Sequence, residues 1–194
     1  MDRKVLAHGM VMYLNVDPGH KKTLSLIESP ELSWTQALIA ESRYKEHEGK
    51  SLKDIRDAMV VPISSNPVEE KDKDLKALSK SIDETFKRCE KDFIEIYDLN
   101  VKNRENLYQL LRYSEGQFIV DHMDATEEFP RKITMIYYPN DDYRGGEVQF
   151  PVIGMEIKPP ANSAILFLSD SPEFRHASRK IISGTKYAVV GLWH

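Results

Sequence analysis

The sequence is poor in cysteine, in long apolar runs and in any excess of one charge sign. Its single cysteine, Cys89, excludes an internal disulfide, so cysteine usage gives no argument for an oxidising compartment. No stretch approaches the roughly 18 consecutive apolar residues of a membrane-spanning helix. Residues Met1 to Gly9 also lack the apolar centre of a secretion signal, and the expected location is cytoplasmic, with no membrane partner. Lysine and arginine total 27 against 31 acidic residues, a net charge of −4, with the two signs interspersed. Without a basic stripe, nucleic acid is not an expected partner. Only nine glycines occur, so the few that cluster mark turns. Nothing in the pattern speaks to an oligomeric state.

What is present is two kinds of periodicity. A chain of 194 residues can bury a substantial core as one domain. We expect a single domain over residues 1–194, with a mixed, helical support region in 1–105 and an all-β core in 106–194. Val5 to Val16 is apolar and β-prone, an opening strand or pair. Asp17-Pro18 is expected to cap and begin a helix running to about Glu28, and a short helix is expected over Trp34–Lys45. Residues 46–72, with Gly49, Pro62, Pro67 and a run of charges, read as loop around a strand near Ala58–Ile63. The clearest helix spans Asp74–Tyr97, where Leu75, Leu78, Ile82, Phe86, Cys89, Phe93 and Ile96 recur three or four apart as one apolar stripe. Cys89 lies in that stripe and reads as a packing residue.

From Leu107 the period switches to two. Strands are expected over Gln109–Tyr113, Phe118–Asp124, Lys132–Tyr138, Glu147–Pro151, Gly154–Ile157, Ala164–Leu168, His176–Ile182 and Tyr187–Trp193. They are separated by turn chemistry such as Pro139-Asn-Asp-Asp142, Gly145-Gly146 and Ser183-Gly184. Eight short strands at this spacing predict an α+β fold: a double-stranded β-helix, or jelly roll, with the N-terminal helices packed on one sheet.

Four residues of this half point to chemistry. His122 and Asp124 are two apart in a β-prone segment, so both side chains project from one face and can share a metal. His176 offers a second imidazole from a distant segment, and Lys186 follows it by ten positions. Two histidines and one carboxylate leave coordination positions open, the donor set of non-haem Fe(II) oxygenases. Lys186 is a cation suited to anchoring the far carboxylate of a co-substrate.

The surrounding segments strengthen this: Leu111-Arg-Tyr-Ser-Glu-Gly-Gln117 before His122, Ile136-Tyr-Tyr-Pro-Asn140, Gly145-Gly-Glu-Val-Gln-Phe-Pro151, Lys158-Pro-Pro-Ala-Asn-Ser-Ala164, and His176 followed by Gly184-Thr-Lys186-Tyr. In this order and spacing, residues from about Leu110 to Trp193 resemble the 2-oxoglutarate- and Fe(II)-dependent oxygenases, specifically their prolyl 4-hydroxylase-like branch. The resemblance implies His122, Asp124 and His176 as iron ligands at the catalytic centre. It implies Lys186 and Tyr138 on the C5 carboxylate of 2-oxoglutarate, and Tyr113 near the iron-bound end. Thr134 and Ile136 share a face with Tyr138 and would line the co-substrate slot. Arg56 sits where the family often carries a substrate-side arginine. The implied cofactors are Fe(II), 2-oxoglutarate and O2, with ascorbate as an accessory reductant. The implied reaction is hydroxylation of a C–H bond coupled to decarboxylation of 2-oxoglutarate to succinate.

Two departures bear on substrate. Ile119 stands three positions before His122, where the family often has tyrosine. Position six after Lys186 is Leu192, where a tryptophan is frequent; Trp193 follows one later, and a bulge at Gly191 would be needed to return it to the interior. The leading expectation for the substrate is still a prolyl residue in a peptide or protein, and the alternative a free amino acid, another small molecule or a nucleobase. A non-catalytic jelly-roll binding module would not need the triad and Lys186 together. Residues 45–73 read as too polar and too interrupted for core, and are expected to order over the site as a lid when substrate binds.

Overall fold

A computed structural model of the chain describes residues 1–38, 49–68 and 70–194. The N-terminal part contains strands β1 (Asp2–Ala7), β2 (Met10–Leu14), β3 (Thr35–Gln36), β4 (Arg56–Asp57) and β5 (Met59–Ser64). It also contains helices α1 (His20–Ile27), α2 (Leu52–Ile55) and α3 (Lys73–Tyr97). The C-terminal part is strand and turn with two short 3-10 helices, Pro151–Ile153 and Pro172–Phe174: β6 (Leu107–Tyr113), β7 (Phe118–His122), β8 (Ile133–Tyr138), β9 (Arg144–Gly145) and β10 (Val148–Phe150), then β11 (Met155–Ile157), β12 (Ser163–Leu168), β13 (His176–Ser178), β14 (Ile181–Ser183) and β15 (Lys186–Trp193).

Two antiparallel sheets carry the fold. The larger has the order β1-β2-β12-β8-β15-β6-β5-β3, and the smaller β11-β10-β13-β7-β4. Residues from both share one buried cluster, including Ile119, Phe150, Ile136, Tyr138, Ile165 and Phe167. This is the interior of a jelly roll, and the fold is α+β as expected.

The other face of the larger sheet is covered by α3. Asp72 starts this helix by accepting from the amides of Asp74 and Leu75, both at 2.9 Å, satisfying donors that the first turn leaves open. Its stripe (Leu78, Ile82, Phe86, Cys89 and Phe93) is fully buried against Tyr108, Leu110, Met135, Tyr137, Val189 and Trp193. Burial pushes the Cys89 thiol up to about 12, consistent with a packing role.

β15 pairs with β8 in unbroken register from Val189↔Tyr137 to Trp193↔Ile133. There is thus no bulge at Gly191: Trp193 stacks on Phe86 outside the sheet, while Leu192 faces the interior cavity. A Cβ on Gly191 would lie 2.2 Å from the Phe86 ring, so the glycine lets the helix close onto the strand.

Several expectations need correction. α1 begins at His20, not at Pro18. The Asp17 carboxylate instead accepts from the Gly19 amide at 2.7 Å and from the Thr23 hydroxyl. Thr35–Gln36 is extended and paired with Val60 and Met59, because Gln36 completes a sheet edge; the remainder of the helix expected to Lys45 lies outside the described residues. The segment expected over His176–Ile182 is two strands, the second paired with β9. The region expected as a lid is largely built into the fold, its residues 45–48 and 69 lying outside the described ones. β5 lies beside β6 in the larger sheet and β4 beside β7 in the smaller. Ile55, Ala58, Val61 and Ile63 are core; the charged and Gly/Pro-interrupted sequence on either side hid this short apolar strand. No helix among the described residues is long and apolar enough to cross a membrane.

Candidate metal and carboxylate site

The smaller sheet brings the two histidines together. β13 and β7 are distant in sequence but adjacent, with His176 directly opposite His122, and the ring centroids are 4.4 Å apart. Asp124 lies just past the end of β7, yet its carboxylate is 3.5 Å from His122 Nε2 and 3.6 Å from His176 Nε2. One ligand atom from each of the three residues falls within 4.8 Å of the others, and all three are buried.

Their orientation is set by second partners. His122 Nδ1 lies 2.8 Å from the Val120 carbonyl and His176 Nδ1 3.1 Å from that of Phe174. A ring nitrogen beside a carbonyl must carry the proton, so each Nε2 turns to the shared centre as an acceptor. The Phe150 and Phe167 rings pack on His176 at 5.7 and 5.0 Å. Two imidazoles and a carboxylate around one point fit a divalent transition metal.

A cavity of about 430 Å³ opens from this centre. Its walls include Tyr113, Ile136, Tyr138, Ser178 and Lys186, together with Gln36, Arg56, Gln109 and Arg131. Lys186 is 1% exposed, and Nζ donates to the Gly146 carbonyl at 2.6 Å and to Ser178 Oγ at 2.9 Å. Burial lowers its pKa to about 7, with the Glu147 charge opposing the shift. The Tyr138 hydroxyl is buried and has no hydrogen-bond partner among the described residues; desolvation holds its pKa well above the ordinary value. Lys186 Nζ lies 5.5 and 5.7 Å from the Tyr138 and Tyr113 ring centroids. A cation that burial discourages from ionising, beside an unused hydroxyl donor, fits an incoming carboxylate. Both donor sets thus fit an Fe(II) and 2-oxoglutarate site.

Of the residues singled out from sequence, His122, Asp124, His176, Lys186, Tyr138, Tyr113, Ile136 and Arg56 all line this cavity. Thr134 does not. It sits at the far end of β8, where its hydroxyl is 2.9 Å from Asp124 Oδ2, so its place is behind the carboxylate and not on the slot. Arg56 is 7% exposed and donates to the Leu38 carbonyl at 2.9 Å and Gln109 Oε1 at 3.1 Å. Ser178 and Arg131 were missed. Ser178 was within reach, since it lies two residues beyond His176 and shares its strand face. Arg131, whose Nη1 donates to the Asp124 carbonyl at 2.9 Å, lies in irregular chain where no period applies. Gly145 and Gly146 have a backbone role: both adopt positive φ, and Gly146 supplies the carbonyl that holds Lys186.

A jelly roll with a His-Asp-His centre and a buried lysine defines the class: a metal-dependent protein built to take a carboxylate ligand. Comparison with known proteins narrows it. Residues 108–194 match the family model of the 2OG-Fe(II) oxygenase superfamily. Prolyl 4-hydroxylase 1 of Arabidopsis thaliana is 30% identical over 108 residues, 42% of this chain and 38% of that protein. Among solved structures, the fold is similar to a prolyl hydroxylase from Trichoplax adhaerens in complex with a hypoxia inducible factor oxygen degradation domain peptide (TM-score 0.71, 16% identity, 95% of this chain and 83% of that one). It is also similar to a viral collagen prolyl hydroxylase from Paramecium Bursaria Chlorella virus-1 in complex with 2OG (0.63, 19%, 95% and 94%) and to a Pseudomonas putida prolyl-4-hydroxylase (0.64, 17%, 96% and 92%). Residues 108–194 thus resemble the 2OG-Fe(II) oxygenase superfamily, and the chain spans under two fifths of the length of the prolyl 4-hydroxylase it matches, 38% of that protein. The cofactors of that family are Fe(II), 2-oxoglutarate and O2.

Proposed function

We propose that the chain, acting as one domain over residues 1–194, is a 2-oxoglutarate-dependent dioxygenase that hydroxylates a prolyl residue in a peptide or protein. The observation that carries the reading is the juxtaposition, in one cavity, of the His122, Asp124 and His176 donors with the buried Lys186 and Tyr138. When bound, the iron supplies the oxidative chemistry: 2-oxoglutarate goes to succinate and CO2, and one oxygen atom of O2 enters a C–H bond.

The protein's part is binding, orientation and exclusion of water. His122, Asp124 and His176 hold the metal from one side. Lys186 Nζ, with Tyr138 and Ser178, receives the far carboxylate of 2-oxoglutarate, while Tyr113 and Ile136 flank its body. Arg56, fixed by Leu38 and Gln109, lines the same cavity and faces the substrate. No side-chain acid or base is required for hydrogen removal from carbon, so Asp121 and Glu147 are not assigned catalytic roles. The likeness to prolyl hydroxylases favours a peptidyl-proline substrate, and the mixed surface charge disfavours nucleic acid. With no membrane-spanning helix among the described residues, we place the activity in the cytoplasm.

The test is succinate formation by the purified chain with Fe(II), 2-oxoglutarate, O2 and ascorbate, screened against proline peptides, free amino acids and oligonucleotides. A proline peptide should stimulate succinate release and gain one oxygen atom. Stimulation by a free amino acid alone would move the assignment to a small-molecule oxygenase. Metal binding without any 2-oxoglutarate consumption would exclude the enzyme reading.

A further inference from the structure

We propose that Ser169 and Thr134 form a directed hydrogen-bond chain whose role is to fix the Asp124 carboxylate for metal binding. The inference rests on reading His122, Asp124 and His176 as the metal centre, and adds two residues that do not line the cavity.

Asp124 is the ligand with the least support from regular structure. β7 ends at His122, so the sheet ladder that sets the two histidines does not extend to it. Arg131 holds its backbone carbonyl, which fixes the chain but not the carboxylate plane. Thr134 Oγ1 lies 2.9 Å from Asp124 Oδ2, and Ser169 Oγ lies 2.7 Å from Thr134 Oγ1. Thr134 is 0% and Ser169 1% exposed, so these short contacts are shielded from solvent.

The direction of the chain follows from proton count. An ionised carboxylate only accepts, and a hydroxyl carries one proton. The Thr134 proton therefore goes to Asp124, and the Thr134 oxygen accepts from Ser169. Ser169 is anchored in turn, its amide donating to the Lys132 carbonyl at 2.9 Å where β12 leaves β8 after the Leu168↔Ile133 pair. The carboxylate is thereby tied to the larger sheet while the histidines belong to the smaller one, and the metal site spans both. Charge-assisted bonds away from water are the strong kind, and chained hydroxyls polarise one another.

The experiment is anaerobic Mn(II) and Fe(II) titration of the full chain, read by electron paramagnetic resonance and calorimetry, with the Co(II) absorption spectrum as a signature of ligand geometry. Thr134→Val keeps the volume and removes the donor; it should weaken metal binding by about 10–100-fold, the usual effect of losing an outer partner of a metal ligand, and alter the Co(II) spectrum. Thr134→Ser restores the hydroxyl and should return both to near wild type. Ser169→Ala should fall between, and decides alone if Thr134→Val does not fold. Metal affinity within about twofold of wild type in both Thr134→Val and Ser169→Ala would overturn the proposal. So would intact metal binding with weakened 2-oxoglutarate binding, which would put Thr134 on the co-substrate slot. Failure of the wild type to take metal would refute the metal-centre reading itself, a distinct result.

Discussion

Tyr137 and Tyr138 are neighbours on β8, equally buried, and treated in opposite ways. Tyr137 points to the helical side, among Phe86, Ile82 and Leu110, and its hydroxyl meets His20 Nδ1 at 3.2 Å. Tyr138 points into the jelly roll beside Lys186, and its hydroxyl has no partner among the described residues. An unsatisfied buried polar group costs about 1–3 kcal/mol, which folding alone gives no reason to keep. The contrast extends along the strand: Ile133 and Met135 fill the outer face, while Thr134 and Ile136 serve the inner one. The outer face stabilises the sheet, and the inner face holds polar groups that a metal and a dicarboxylate would complete.

The sharpest way to break this contrast is at the metal ligands. His122→Ala, Asp124→Ala or His176→Ala should abolish metal binding, as followed by calorimetric titration of the folded protein. Retained affinity in any one of them would remove that residue from the centre. The reciprocal change on the outer face is Phe86→Ala. It should cost about 3–5 kcal/mol in denaturant unfolding, because Phe86 packs on Tyr108, Trp193 and Gly191, while the folded fraction still binds metal normally.

Lys186→Ala should weaken 2-oxoglutarate binding by about 2–5 kcal/mol, on the scale of truncated buried charge partners, and leave metal affinity unchanged. Its lowered pKa adds a pH signature. Between the folded value of about 7 and the higher value of an unfolded lysine, the unfolded chain binds more protons. Stability of the ligand-free protein should therefore rise with pH across that window. Lys186→Met should flatten the slope. Since the carboxylate requires the ammonium form, 2-oxoglutarate binding above pH 7 should take up a proton, seen as a buffer-dependent heat. The smallest effect concerns the two tyrosines: Tyr138→Phe should cost roughly 1 kcal/mol in 2-oxoglutarate affinity with little change in stability. Tyr137→Phe should do the reverse.

What was legible in the sequence followed from where physics is local. The α3 stripe, the strands around His122 and Ile136, and the spacing of His176 and Lys186 are short-range patterns, and period two placed Ile136 and Tyr138 on the cavity wall. Period two could not say how far along β8 the metal would lie, so Thr134 was expected on the slot when it stands behind Asp124. Nor could composition reveal that Met59–Ser64, with a proline at its centre, extends the larger sheet: Pro62 is exposed while Val61 and Ile63 are buried. Strand pairing across fifty residues leaves no mark on a local window. The position of Arg56 was legible from the resemblance, but its contacts to Leu38 and Gln109 join segments far apart in sequence and were not.

The most direct test of the inner face as a joint metal and dicarboxylate site is titration of 2-oxoglutarate into the anaerobic protein with and without Mn(II). Binding should be tight with the metal, markedly weaker without it, and weak in Lys186→Ala under both conditions. Equal affinity in the presence and absence of metal, or full affinity in Lys186→Ala, would contradict it.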